Sequence, residues 1–477
     1  MTTRHIQNLI DGAWVGDPVK ERRNPAADDD VVAVTPVSDP GVVEEAVTAA
    51  RRAQPGWAVL PAPARGAILM NAADILRRRH GEVARDLVRE EGKTLAEARG
   101  EVQRAIDVLR YFGSEGWRLG GQVLPSATPD TMVYTRREPL GVVGLITPWN
   151  FPIAIPAWKM APALVSGNAV VIKPADVTPV ALHHLVAALV EAGLPAGVLN
   201  VVHGPGRSVG EALVGDTRVS GVSFTGSTEV GMRIHHVVGA RRGRVQLEMG
   251  GKNALVVLDD ADAEAAARVA AVGGFGLTGQ ACTATSRVIC TPGVRERFMA
   301  AIAEQAGRYR PGDGLGDGVL MGPVVTEQQL AADVAAVQKA RADGAEIVAG
   351  GEEADGLLFP ATVLDGVRPD SAAARDEIFG PVIAVLEAGD LDEAIDLVND
   401  SRYGLTAGIC TRSLSAAQHF AHSAQVGVVK VNRPTAGLDL NVPFGGTKDS
   451  STNTFREQGP TAVEFYTWSK SVYLGWD

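Results

Sequence analysis

Two consecutive blocks in which short apolar runs alternate with helix-length segments predict an α/β fold with two mostly parallel sheets. The first block runs from Leu140 to Leu258 and the second from Ser286 to about Val431. Two β-prone segments outside both blocks, Gly120 to Glu138 and Ala462 to Val472, add a small separate β element. Such outliers often pair with each other or with the edge of a neighbouring subunit.

Residues 6 to 15 alternate around Asp11-Gly12, a dipeptide that tolerates positive φ at both turn positions, so the chain is expected to open with a β-hairpin. From Gly41 to Trp117, Ala, Arg and Glu separate apolar residues at three- and four-residue spacing, which predicts packed helices. The first block then supplies strand candidates at Val142 to Ile146, Val170 to Lys173, Leu199 to His203, Val219 to Phe224, Val245 to Leu247 and Ala254 to Leu258. The second supplies Arg287 to Cys290, Val382 to Leu386, Leu405 to Cys410 and Val426 to Val431.

At 477 residues the chain is long enough for two or three structural units. Its apolar content of 45% and charged content of 21% are those of a globular protein. The net charge of −11 discourages binding to nucleic acid or to anionic membranes. The three cysteines, Cys282, Cys290 and Cys410, match neither a disulfide framework nor a paired metal site. A reducing compartment, the cytoplasm, is therefore expected. No run approaches the roughly 18 to 20 apolar residues of a membrane span.

Ligands of open α/β sheets bind beyond the carboxyl ends of the strands, so the loops there are the candidates for chemistry. Asn150, in Thr-Pro-Trp-Asn-Phe-Pro (147 to 152), is either a turn former or an amide donor to an oxyanion. Lys173 and Asp176 are either a solvated pair or a ribose site. Gly226 permits a tight strand-to-helix turn, and Ser227 or Thr228 can cap a helix whose start suits an anion. Glu248, between Leu247 and Met249, is expensive to bury unless paired or needed, which makes it a candidate general base. Cys282 follows a glycine-rich stretch that allows close approach of a ligand; the alternative is a small buried apolar residue.

Taken together, Pro148-Trp149-Asn150-Phe151-Pro152, Lys173-Pro174, Phe224-Thr225-Gly226-Ser227, Leu247-Glu248-Met249-Gly250-Gly251-Lys252, Gly279-Gln280-Ala281-Cys282, Glu377-Ile378-Phe379-Gly380-Pro381 and Pro443-Phe444-Gly445-Gly446 resemble the NAD(P)-dependent aldehyde dehydrogenase superfamily. The match covers nearly the whole chain in the family's order. It implies a Rossmann-type cofactor domain (1–119 and 139–249), a second α/β catalytic domain (250–440) and a small β bridging or oligomerisation element (120–138 and 455–477). A homodimer or homotetramer without a metal is implied as well.

The resemblance casts Cys282 as the nucleophile, Asn150 as the oxyanion donor and Glu248 as the general base. It sets Thr147, Trp149, Lys173, Asp176, Gly206, Gly210, Gly226, Ser227, Glu377 and Phe379 along the cofactor. Asp176 stands where many NAD-preferring members carry Glu; its shorter reach leaves room for a 2′-phosphate, so NAD and NADP are both expected to serve. Gly279 to Arg287, together with Val431 to Gly437, Asn441 to Gly446, Arg456 to Gly459 and Glu464 to Thr467, resemble the subgroup that oxidises α-ketoglutaric semialdehyde to 2-oxoglutarate, and Arg433 is the expected cation for that substrate's carboxylate. Succinate semialdehyde, glutarate semialdehyde and betaine aldehyde are alternative substrates. A cofactor-independent thiol esterase is a rival activity, and a binding protein that has lost its chemistry is a rival class.

Overall fold

The computed structural model describes residues 2–351 and 353–477; Met1 and Glu352, which fall within the first and second expected domains, lie outside the described residues. The opening hairpin forms as its sequence dictates. Asn8–Ile10 pairs antiparallel with Ala13–Val15, and Asp11 and Gly12 take φ of 53° and 81°.

That hairpin extends a seven-stranded sheet with the order Arg244–Glu248, Gly221–Thr225, Val142–Ile146, Ala169–Lys173, Leu199–Val201, Asn8–Ile10, Ala13–Val15. The first five strands are mutually parallel. Most of their residues are buried, which is why they read as continuous apolar runs and not as alternating ones. A large core gathers Leu76, Phe112, Leu164 and Leu185 from four helices against this sheet, and a second contains Val47, Leu213 and Ile234.

The second sheet has the order Glu346–Ala349, Thr362–Asp365, Val382–Glu387, Arg287–Cys290, Ala254–Val257, Thr406–Cys410, Val428–Val431. All but the antiparallel Glu346–Ala349 run parallel. Only five residues, 249–253, connect Glu248, at the carboxyl end of the first sheet, to Ala254, at the start of the second. The ends of the two sheets are thereby brought together.

The outlying β segments pair with each other. Thr467–Gly475 runs antiparallel to Thr131–Pro139 over its whole length, and Val123–Leu124 adds a short third strand. The first part of the expected tail strand is different: Ala462–Tyr466 is a helical turn. It buries Ala462, Val463, Phe465 and Tyr466 in the first core, and packing of these four overrides the β preference of the aromatics. A three-stranded sheet of Arg4–His5, Ala27–Thr35 and Lys20–Asn24 was not anticipated, because Asp28, Asp29 and Asp30 interrupt the apolar pattern of its longest strand. Among the described residues, no helix is long and apolar enough to cross a membrane.

Candidate active site

Register aligns the carboxyl ends of the first sheet. Thr225 pairs with Glu248, Phe224 with Ile146, and Ile146 with Lys173. The loops that follow these four strands therefore leave from one edge, and Thr147, Trp149, Asn150, Lys173, Asp176, Gly226, Ser227 and Glu248 all lie on it or just beyond it.

Cys282 reaches the same region from the second sheet. The helix Ala263–Phe275 stops at a kinked turn where Leu277, Thr278 and Gly279 all have positive φ, of 54°, 57° and 66°. Gly279 is required there, since a Cβ would stand 2.1 Å from the Gly380 carbonyl oxygen. Asn253 fixes the next stretch by donating from Nδ2 to the Cys282 and Ala284 carbonyls, each at 2.8 Å. The thiol is half-buried and lines a cavity of about 310 Å³ whose wall includes Phe151, Trp158 and Phe444. Burial, and then the negative charges of Glu248, Glu377 and Glu457, push this thiol's pKa up.

Asn150 is 4% exposed. One N–H of its amide donates to the Gln280 carbonyl at 2.9 Å, which anchors the side chain on the Cys282 loop. An amide nitrogen has two N–H groups, so one remains for an oxyanion. The Asn150 backbone carbonyl accepts from Lys93 Nζ at 2.7 Å, and Lys93 is in turn paired with Glu101 at 2.6 Å. Glu101 also accepts from the Ile153 and Ala154 N–H groups at 3.0 and 3.1 Å. The turn that carries Asn150 is thus held from both sides by a buried ion pair.

Glu248 ends an edge strand, where an ordinary Glu would face solvent. Instead it is 2% exposed, and among the described residues neither carboxylate oxygen has a side-chain hydrogen-bond partner. Such a group holds its proton more tightly: desolvation, and then the charge of Glu457, raise its pKa well above the ordinary range. Glu457 is itself buried in an ion pair with Lys159, which also donates to Ser223 Oγ at 2.8 Å.

The expected cofactor residues follow the sheet edge. Lys173 Nζ lies 2.9 Å from Asp176, and Lys20 approaches the other carboxylate oxygen at 3.5 Å. Gly226 is needed because a Cβ would sit 2.5 Å from the Phe224 ring. Ser227 occupies the cap position of the helix Thr228–Ala240 but makes no side-chain capping bond, contrary to the cap its sequence suggests. The first N–H groups of that helix are left without a side-chain acceptor, an arrangement that suits a phosphate.

Gly206 and Gly210 stand on a separate turn, Gly206–Gly210, where a Cβ would meet nothing within 4 Å. Ser227 and Glu377 line one open cleft. Glu377 accepts from the Gly251 N–H at 2.9 Å, and burial lifts its carboxyl to about 7. Trp149 and Phe379 meet edge to face with centroids 5.4 Å apart, and Phe379 has a φ of 64°. Thr147 and Thr225 add buried hydroxyls without partners. Open glycine space, free helix N–H groups, orphan hydroxyls and a lysine–carboxylate pair fit a dinucleotide laid along this edge.

Arg433 departs from expectation. It is exposed and does not line the cavity. The guanidinium on the cavity wall belongs to Arg104, on the helix Leu95–Glu115. Its apolar–charged periodicity looks like any amphipathic helix, so no local signal singled it out. Glu101, on the same helix, was missed for the same reason, while Lys93 stands in the short link before it, outside any motif. Lys159 and Glu457 left a fainter trace, as charged residues bordering apolar runs.

A sequence model described as the aldehyde dehydrogenase family matches residues 14–472. A 2,5-dioxopentanoate dehydrogenase of Saccharolobus solfataricus is 47% identical over 95% of both chains. An alpha-ketoglutaric semialdehyde dehydrogenase of Bacillus subtilis is 45% identical over 98% of this chain and 97% of its own. Among solved structures, an E. coli NADP-dependent enzyme superposes with a TM-score of 0.95 at 33% identity, covering 99% of this chain and 98% of that one. Betaine aldehyde dehydrogenase from Staphylococcus aureus, in complex with NAD+, also gives 0.95, at 32% identity over 98% and 95%.

Proposed function

The chain belongs to the aldehyde dehydrogenase family, and from that premise we propose that it oxidises α-ketoglutaric semialdehyde to 2-oxoglutarate with NAD or NADP. The observation that carries this reading is the approach of three groups between the sheet ends: the Cys282 thiol in its cavity, the Asn150 amide anchored on the Gln280 carbonyl of the same loop, and the Glu248 carboxylate, close enough for its charge to act on that thiol. Relatives that share 45% to 47% of the sequence and are named for this substrate support the choice of aldehyde.

In the proposed cycle the Cys282 thiol loses its proton to water, and Sγ bonds to the aldehyde carbon as the C=O π bond opens to an oxyanion. The second N–H of Asn150, with the Cys282 backbone N–H, holds the oxyanion. NAD or NADP, when bound, supplies the hydride acceptor. The acyl group is left on Cys282 as a thioester. Water then attacks, Glu248 takes its proton, and the S–C bond breaks to release the carboxylic acid, which ionises. Trp149, Lys173, Asp176, Ser227, Glu377 and Phe379 position the cofactor along the sheet edge.

Residues 1–119 with 139–249 serve as the cofactor unit in this reading, and 250–440 as the catalytic unit. The element of 120–138 with 455–477 joins copies into a homodimer or homotetramer; the exposed Trp468, Tyr473, Leu474 and Trp476 near its outer edge support that role. All three cysteines are free, which suits a reducing cytoplasm.

The test is the appearance of reduced nicotinamide with 2,5-dioxopentanoate, succinate semialdehyde, glutarate semialdehyde and betaine aldehyde, each with NAD and NADP. The highest kcat/KM is expected for 2,5-dioxopentanoate. The two cofactors are expected to differ by less than about a thousandfold, because Lys20 and Lys173 both offset the charge of Asp176. No signal with any aldehyde would remove the dehydrogenase reading and leave the thiol esterase.

The raised pKa of Glu248 has a sign. The base form appears only as pH rises through that raised value, so deacylation accelerates toward alkaline pH. Because Glu457 contributes to the rise, Glu457→Gln is expected to move the acid limb of the kcat–pH profile to lower pH. An unmoved limb would leave desolvation as the sole cause.

A further inference from the structure

The cavity that exposes Cys282 is lined by three charged side chains from one helix: Glu97, Glu101 and Arg104. Two of them are already engaged. Glu97 accepts from Thr94 and from the Leu277 N–H at 2.7 Å, and Glu101 holds Lys93 and the Ile153 and Ala154 N–H groups. Arg104 has no ion-pair partner among the described residues. Asp107 and Asp439 lie near enough for their charges to act on it, but neither is bonded to it.

The recorded hydrogen bond of Arg104 goes to a neutral acceptor, Gln458 Oε1. Gln458 is 1% exposed and does not line the cavity, so it orients the guanidinium from behind. The two carboxylates on the cavity wall, Glu97 and Glu101, are engaged elsewhere, which leaves Arg104 as a charged donor facing the cavity without an anion among the described residues. An isolated guanidinium held partly out of water is costly unless an anion meets it.

Resting on the substrate reading given above, we propose that Arg104, oriented by its hydrogen bond to Gln458, is the subsite that binds the carboxylate end of an ω-oxo acid while Cys282 attacks its aldehyde. The 2-oxo acid head of 2,5-dioxopentanoate is acceptor-only, a carboxylate beside a carbonyl, and complements the forked donors of a guanidinium. The aromatic wall of Phe151, Trp158 and Phe444 would otherwise suit a quaternary ammonium. The charge of Arg104 opposes that class of substrate, so betaine aldehyde is expected to be poor.

The experiment compares 2,5-dioxopentanoate with pentanal, an uncharged aldehyde of the same carbon count, in wild type, Arg104→Met and Arg104→Lys. Arg104→Met is expected to raise KM for the oxo acid by about 100-fold. Its kcat should stay within a few-fold and its kcat/KM for pentanal should be unchanged or improved. Arg104→Lys should recover part of the loss. If wild type prefers the oxo acid and Arg104→Met preserves that preference, the subsite is overturned and the substrate reading stands. Equal losses on both aldehydes would reduce Arg104 to a structural residue. A wild type with no preference for the oxo acid overturns both.

Discussion

Cys282→Ala is expected to abolish aldehyde oxidation, lowering kcat/KM by roughly 10⁵-fold or more, the scale of losing a covalent nucleophile. The reason is geometric. Cys290 and Cys410 lie buried in strands on either side of Val257, where neither can reach an aldehyde in the Cys282 cavity. Neither takes over. The substitution removes one sulfur from a half-buried position, so the fold and cofactor binding should survive, and nicotinamide binding measured by fluorescence should change by no more than about twofold. Residual turnover within tenfold of wild type would mean that the thiol is not the acyl carrier. Cys290→Ala is the control, expected to retain activity.

Glu248→Gln should act later in the cycle. Loss of a general base costs about 10²- to 10⁴-fold, and here it falls on hydrolysis of the thioester. A rapid release of about one equivalent of reduced nicotinamide per active site should precede a slow steady state. The acyl-enzyme should be visible as an added mass on the peptide that contains Cys282. A slow first turnover without a burst would assign Glu248 to thiol activation instead. The substitution is mild for folding, because among the described residues the buried carboxylate has no side-chain partner to orphan.

Much of the architecture was legible because it is written locally. Asp11-Gly12 specifies its turn through backbone conformation alone, and the parallel strands announce themselves as apolar runs bounded by glycine and proline. The three proposed catalytic residues were readable from short motifs. The Asp28–Asp30 run concealed a strand, and Ala462–Tyr466 became helical through burial against residues far away in sequence. The replacement of Arg433 by Arg104 at the cavity has the same origin. Arg104 meets Gln458 across 354 positions, and nothing in either neighbourhood encodes that encounter. Likewise, Lys93 and Glu101 take on meaning only when the Asn150 turn is folded against them.

The helix Leu95–Glu115 touches the site three times at successive turns. Glu97 latches the loop before Cys282, Glu101 braces the turn of Asn150, and Arg104 stands on the cavity wall. With a rise of about 1.5 Å per residue, Glu97 and Arg104 are roughly 10 Å apart along the axis. The helix is therefore a ruler. Its pitch sets the span between the loop before Cys282 and the proposed carboxylate subsite at Arg104, and an α-helix stretches far less readily than a loop. Selectivity for substrate length would then be a property of secondary structure, and a bulge or deletion between Glu101 and Arg104 would recalibrate which oxo acid fits.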